Sequence, residues 1–232
     1  MPRFFCAEPI RQNAQFDLDT RVAQHVRVLR LREGESITLF DGSGGETHAT
    51  LMRIDKRSVE VTTREALTIE RELSRTITIN AALIANDRMD WMIQKACELG
   101  VSAIRPMFTE RSQRIPGDVA KRVEHWRGVL ISACEQCGRN RIPEMHAPVT
   151  LTAALASPSA QSSVLLDAEG DTVAASIASG SVSIFVGPEG GFAPSELELL
   201  RNRCDQKLRI GRTVLRAETA AIAALALLAS LA

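Results

Sequence analysis

Tyrosine is absent from the 232 residues, and all aromatics together make up 4%. Chemistry or base stacking that needs a phenol is excluded. Lysine stands only at positions 56, 95, 121 and 207, so nearly all basic charge is arginine. Neither sign of charge dominates, since Lys+Arg and Asp+Glu are both 28. An evenly basic nucleic-acid coat is excluded, but local basic stripes are not. Long apolar runs are also lacking. The N-terminus reaches charged residues within a few positions, unlike a signal peptide. The longest apolar stretch, Ala220 to Ala232, is Ala-rich and shorter than the ~18 residues of a membrane span. Five scattered cysteines are an odd number, which suits a reducing compartment. The expectation is a cytoplasmic protein without membrane contact. The Walker-type phosphate loop and the Gly-x-Gly-x-x-Gly turn are missing, which disfavours nucleoside triphosphates and nicotinamide cofactors. No Ser-His-Asp spacing signature occurs either.

What is present is ordinary for a soluble globular chain: 45% hydrophobic and 24% charged residues, enough for one large domain or two small ones. In the first seventy or so residues, Val22, Val26 and Leu29 share one helical face between Arg21 and Arg30. Ser36–Phe40 and Glu46 to Ile54 read as strands joined by the turn Asp41–Gly45, and Ser58 to Thr63 alternates again. This grammar suggests a small antiparallel barrel or sandwich. The charged stretch Arg64 to Arg75 reads as a linker. After it, strand and helix alternate. Thr76 to Ile84 is strand, Asp87 to Leu99 helix, Ser102 to Phe108 strand and Asp118 to Cys137 a long helix. Further short strands follow at Ser163–Leu166, Ser181–Val186 and Lys207–Ile210, with a capping box at Ser195 and Glu198. The Ala/Ser/Pro stretch Ala153–Ser163 reads as a short helix and a surface loop. The pattern predicts a mostly parallel sheet with helices on its faces.

Four features carry candidate chemistry. Gly187-Pro188-Glu189-Gly190-Gly191 follows an apolar strand directly, where α/β proteins bind ligands. Its glycines permit close backbone approach, and Glu189 would repel a polyphosphate, so a neutral or cationic ligand fits. A plain tight turn is the alternative. Second, Ile210 to Ala220 leads through Gly211, Arg212 and Arg216 into a helix whose first turn holds Glu218 and Thr219. That helix is apolar all round, which predicts burial and a protected polar site at its start. Simple helix capping with a surface Arg pair reads equally well. Third, Cys134 and Cys137 form a lone Cys-x-x-Cys. No second pair exists and His125 lies at no usual ligand spacing, so core packing is preferred to a metal or redox site. Fourth, arginines cluster. Arg21, Arg27, Arg30 and Arg32 stand together without an intervening acid, and Arg201 to Arg216 carries six bases against Asp205 alone. Arginine suits phosphate and base contacts, which favours a nucleic-acid partner.

Together these motifs resemble the RsmE family, the small-subunit ribosomal RNA (uracil-N3) methyltransferases of the SPOUT superfamily. The resemblance runs end to end. It rests on Met1-Pro2-Arg3-Phe4-Phe5, His25-Val26-Arg27-Val28-Leu29-Arg30 and Leu39-Phe40-Asp41-Gly42. It continues through Gln94 to Val101, Pro106, Glu110-Arg111-Ser112 and Ala133-Cys134-Glu135-Gln136-Cys137-Gly138-Arg139-Asn140-Arg141-Ile142-Pro143. The two loops at 187–191 and 215–220 complete it.

The resemblance implies an α/β protein in two parts. Residues 1–72 would form a PUA-like RNA-binding β-barrel. Residues 73–232 would form a SPOUT domain with a trefoil knot (a chain path so rare that patterning would not suggest it), binding cofactor and dimerising. It implies S-adenosylmethionine as cofactor, no metal, a homodimer, and small-subunit (16S) ribosomal RNA in the assembled subunit as substrate. The cofactor would be held by Leu166, Val186, Gly187, Pro188, Glu189, Gly190, Gly191, Ile210, Gly211, Val214, Leu215, Arg216, Ala217, Thr219 and Ala220. Arg216 would stabilise charge on a uracil carbonyl oxygen, with Glu218 orienting Arg216 or moving the N3 proton. Arg3, His25, Arg27, Arg30, Arg111, Arg139 and Arg141 would contact RNA. Thr213 and Asp167-Ala168-Glu169 depart from the family pattern and receive no role. Another SPOUT methylation, on ribose 2′-O or guanine, and a non-catalytic RNA-binding assembly factor are the alternatives.

Overall fold

A computed structural model describes residues 1–114, 117–157, 160–171 and 180–231. Positions 158–159 of the Ala/Ser/Pro stretch, and Ala232 at the end of the apolar run, lie outside the described residues. The chain separates into two compact units, Met1–Glu72 with Cys134–Ile142, and Leu73–Ala133 with Pro143–Ala232. The first unit thus joins residues 1–72 with the segment around Gly138.

In the first unit, β1 (Arg3–Phe5), β2 (Gln15–Asp17), β3 (Ser36–Phe40), β4 (Glu46–Ile54) and β5 (Val59–Leu67) form a sheet in the order β1-β3-β4-β5-β2. Only the β1–β3 pair is parallel. The β3–β4 turn needs its glycines: Gly42, Gly44 and Gly45 have φ of +84°, +110° and +76°, which a Cβ-bearing residue adopts only with strain. Strand β5 continues into the stretch read as linker, because Glu46 and Thr47 of β4 still offer ladder partners to Leu67 and Ala66. Helix α1 (Thr20–Val28) starts at Asp19, whose carboxylate accepts from the Val22 amide at 2.9 Å. It buries Val22, Ala23 and Val26 against Ile37, Leu39, Leu51, Val59 and Val61. Full burial of such a side chain stabilises by ~1.5–3 kcal/mol.

The Glu-Gln-Cys-Gly-Arg block acts as a clasp within this unit. Glu135 accepts from the Phe5 amide at 3.0 Å, and the Asn140 amide donates to the Ile69 carbonyl at 3.1 Å. Cys134 is buried, with its Sγ directed at the Arg141 carbonyl.

The second unit contains β6 (Ile77–Ala82), α2 (Asn86–Glu98), β7 (Ala103–Phe108), most of α3 (Val119–Cys137), β8 (Glu144–Met145), β9 (Val149–Thr150) and α4 (Leu151–Ala156). Then follow β10 (Ser162–Asp171), β11 (Val182–Val186), α5 (Pro194–Arg203), β12 (Gln206–Leu208) and α6 (Ala217–Ala229). Among the described residues the sheet order is β12-β10-β11-β6-β7-β8, with β9 also on β7, and every pair is parallel. Strands β6 and β11 are buried along their whole length, as a sheet covered on both faces requires. The buried polar residues there are cross-strand partners. Arg105 donates to Asn80 at 3.1 Å, and Asn80 donates to the Ile184 carbonyl at 3.3 Å. Pro106 falls in the gap where β7 passes from β8 to β9, the kind of place a sheet tolerates a missing N–H.

Three local expectations are corrected. Helix α5 is opened by Ala193, with Pro194 in its first turn, and Glu196 reaches back to the Ala193 amide at 3.0 Å. Proline at the first helical position has a fixed φ and needs no N–H partner, so the start lies ahead of Ser195. Strand β12 ends at Leu208, short of Ile210. Helix α6 is not buried all round within one chain. It packs on α2, β6, β10 and β11 through Ala221, Ala224, Leu225 and Leu228, but Leu227 is 36% and Leu231 51% exposed.

Candidate functional site

Parallel pairing sets the middle of β10 beside the carboxyl ends of β11 and β12, with Leu165 opposite Phe185 and Leu166 opposite Leu208. Beyond those ends lies a cavity of about 550 Å³, within the range of small-molecule sites. Its wall is made of Leu166, Val186, Gly187 to Gly191, Ile210, Val214, Leu215, Ala217 and Ala220, together with Asp167, Ala168, Phe192, Leu197, Leu208, Arg209, Arg212 and Thr213. Gly211, Arg216 and Thr219 are not on the wall. The loops after 186 and after 208, distant in sequence, face one space.

The first loop is held from several sides. The Gly191 amide donates to the Pro188 carbonyl at 2.9 Å, closing the turn, and Gly191 has φ of +68°. A Cβ on Gly187 would meet the Phe192 ring at 3.1 Å, a contact tight enough to push on that ring. Arg111 donates to the Gly190 carbonyl at 3.0 Å. It therefore braces the loop while remaining exposed. Glu189 accepts from the Ala85 amide at 3.5 Å and from Arg88 at 3.4 Å. Its carboxylate is thus shared between the cavity wall and the start of α2.

Asp167 is buried on the wall and clamped by Arg201, at 2.7 Å from Nε and 3.2 Å from Nη2. Those hydrogen bonds hold its carboxyl below the usual range, against the opposing effect of burial. It immediately follows Leu166, which was the available sequence signal. Arg88 had none, because its partners lie about a hundred residues away.

Arg216 is exposed at the N-cap of α6. Glu218, in the next turn, is buried. One of its oxygens lies 3.9 Å from Arg88 Nε and the other has no hydrogen-bond partner among the described residues. It thus faces Arg88, and the expected pairing with Arg216 is not seen.

The other arginines divide. His25 and Arg30 are exposed at the end of α1, and Arg30 has φ of +55°. Arg27 is half-buried, its Nε donating to the Asp55 carbonyl at 3.0 Å. Arg3, partly buried, and Arg139, buried, are both engaged in ion pairs within the first unit. Arg3 binds Glu46 at 2.7 Å and also Asn140. Arg139 is 4% exposed and donates to Glu72 at 3.0 Å. Arg141 is exposed but paired with Glu70 at 3.0 Å. Burial would raise the Glu46 pKa, but hydrogen bonds from Arg71 and Arg3 outweigh it and hold it at about 2.

A second, more open hollow of about 680 Å³ lies between α2 and α3, lined by Asp87, Asp90, Trp91 and His125 among others. It is not at strand ends and has no glycine loop.

Known proteins share this architecture. A family profile for an RNA methyltransferase domain matches residues 71–229, and one for an RNA methyltransferase PUA domain matches residues 18–63. The ribosomal RNA small subunit methyltransferase E of Rickettsia conorii is 30% identical, covering 97% of this chain and 93% of its own. A ribosomal RNA small subunit methyltransferase E from Neisseria gonorrhoeae, solved bound to S-adenosyl methionine, matches with a TM-score of 0.92 at 34% identity, over 100% of this chain and 98% of that one. A putative methyltransferase from Legionella pneumophila, solved in complex with the bound cofactor SAM, gives 0.91 at 35% identity over 99% and 97%. With a PUA-like sheet domain, a parallel-sheet SPOUT methyltransferase domain and similarity along nearly its whole length, the chain belongs to the ribosomal RNA small subunit methyltransferase E (RsmE) family.

Proposed function

We propose that the protein transfers the methyl group of S-adenosylmethionine to N3 of a uracil in small-subunit (16S) ribosomal RNA. The observation that carries the reading is the cavity itself: two loops, after β11 and β12 on either side of β10, enclose about 550 Å³. The residues fit the cofactor. Gly187, Gly190 and Gly191 let its backbone neighbours approach closely. Val186, Leu208, Ile210 and Leu215 offer an apolar wall, and Asp167 is an acceptor for hydroxyl or ammonium groups. When bound, the cofactor supplies an electrophilic methyl on a sulfonium.

The chain's own residues have to position and to stabilise charge. Uracil N3 is a poor nucleophile while it keeps its proton, so negative charge develops on the base. Arg216, exposed at the start of α6, is the group we assign to a uracil carbonyl oxygen, where a fixed cation lowers the barrier. Glu218, buried against Arg88, is assigned an anchoring role at the start of α6. Phosphate contacts from residues 1–72 are assigned to His25, Arg27 and Arg30. Residues 73–232 are assigned cofactor binding and dimerisation. Leu227 and Leu231, exposed apolar residues at the end of α6, support a homodimer, since such a face favours burial against another protein surface. Val214, 92% exposed on the cavity wall, supports coverage of the site by partner or RNA. The trefoil knot belongs to the same reading, and is supported by the convergence of the loops after 186 and 208 on one space above α6.

The test is methyl transfer to small subunits from a strain lacking this protein, with the methyl mapped by mass spectrometry. N3-methyluridine is expected. A methyl on ribose or guanine selects another SPOUT reaction. Absence of S-adenosylmethionine binding selects the assembly factor.

A further inference from the structure

Arg88 lies in the first turn of α2, outside every motif that marks the site. Its Nη1 is 3.4 Å from a Glu189 carboxylate oxygen, and its Nε is 3.9 Å from a Glu218 oxygen. Those two carboxylates stand in different segments: Glu189 lines the cavity, and Glu218 lies between the wall residues Ala217 and Ala220. Glu189 stands in the glycine loop after β11, and Glu218 in the first turn of α6, just past the second loop. One guanidinium therefore serves two segments that reach α2 from separate parts of the chain.

The two contacts differ in kind. The Arg88–Glu189 pair is 36% and 29% exposed, and a pair of that sort is weak by itself. Glu218 has a side chain only 9% exposed and one oxygen without a partner. Its charge is compensated by Arg88 and by the N-terminal end of α6. Remove Arg88, and two carboxylates drawn to one cation are left to repel each other, one of them inside the protein. Relief comes from separating the glycine loop from α6, which widens the cavity.

We propose that Arg88 is a positioning residue for methyl transfer, tying the glycine loop to α6 through Glu189 and Glu218 and so fixing the spacing of the two cofactor walls. This rests on the cofactor reading above. It touches neither cofactor nor RNA in this role. Its effect is transmitted through two carboxylates.

The test is a double-mutant cycle on the full chain. Cofactor affinity is measured by calorimetry, and single-turnover methyl transfer to small subunits by label incorporation, for wild type, R88M, E189Q, R88M/E189Q and R88K. R88M and E189Q each weaken cofactor binding by about tenfold, and the double variant is no weaker than the weaker single, because coupled residues are not additive. R88K, which keeps charge but loses the fork, recovers part of the affinity. Losses that multiply in the double variant, or an R88M with wild-type affinity, overturn the inference. If R88M lacks a cooperative thermal transition, R88K with E189Q carries the same cycle. A wild-type protein that binds no S-adenosylmethionine refutes the cofactor reading instead, so the two failures are distinct.

Discussion

Replacing Glu46 by glutamine removes the carboxylate on which Arg3 and Arg71 converge, at 2.7 and 2.9 Å. The wild-type carboxyl titrates at about 2 against an ordinary 4.5. That difference is worth ~3 kcal/mol at most at neutral pH, and ~1–2 kcal/mol once screening of the partly exposed Arg71 is allowed for. The folded-state pKa lies below the unfolded one. The contribution is therefore complete above about pH 4.5 and disappears as the pH falls toward about 2. Urea unfolding followed by circular dichroism at pH 7, 5 and 3 reads the difference between E46Q and wild type. The gap should be largest at pH 7, nearly as large at pH 5 and clearly smaller at pH 3. Hydrogen exchange at pH 7 should place the lost protection on β1, β3 and β4. An E46Q protein as stable as wild type at pH 7, or a gap that stays constant down to pH 3, would refute the view that Arg3 and Arg71 are structural partners of a buried carboxylate.

Gly187→Ala places a Cβ 3.1 Å from the Phe192 ring, and calorimetry should show cofactor binding weakened by about tenfold, on the order of the 1–3 kcal/mol typical of overpacking. Arg216→Ala should lower single-turnover methyl transfer by on the order of a hundredfold with cofactor affinity nearly unchanged. Loss of cofactor binding with normal chemistry per bound cofactor would remove Arg216 from its assigned role. Charge reversal of Arg27 and Arg30 together should reduce small-subunit affinity and flatten its salt dependence, leaving the cofactor titration as in wild type. Leu227→Glu should shift the mass measured by light scattering from dimer toward monomer.

The sequence by itself determined the local elements and the type of each unit. Period-2 alternation at Ser36–Phe40 and the glycines at 42, 44 and 45 specify a hairpin, because only glycine takes those φ angles without strain. The β-rich runs at Thr76–Ile84 and Ser181–Val186, alternating with helices, specify strands of a mostly parallel sheet. The glycine loop after Val186 was legible as a ligand site because it follows a strand end directly, and the family motifs gave that site its chemistry. What only the tertiary structure decided was the partner of each charge. Arg3, Arg111, Arg139 and Arg141 look alike as letters, yet Arg139 is an interior ion-pair residue, Arg111 braces a loop and Arg141 stays at the surface beside Glu70. Glu218 turns to Arg88, and the segment around Gly138 joins the N-terminal unit across more than sixty intervening residues. Periodicity reports which face of an element is buried. Coulombic pairing depends on distances of a few ångström between residues far apart in the chain, and those distances exist only once the sheets have closed.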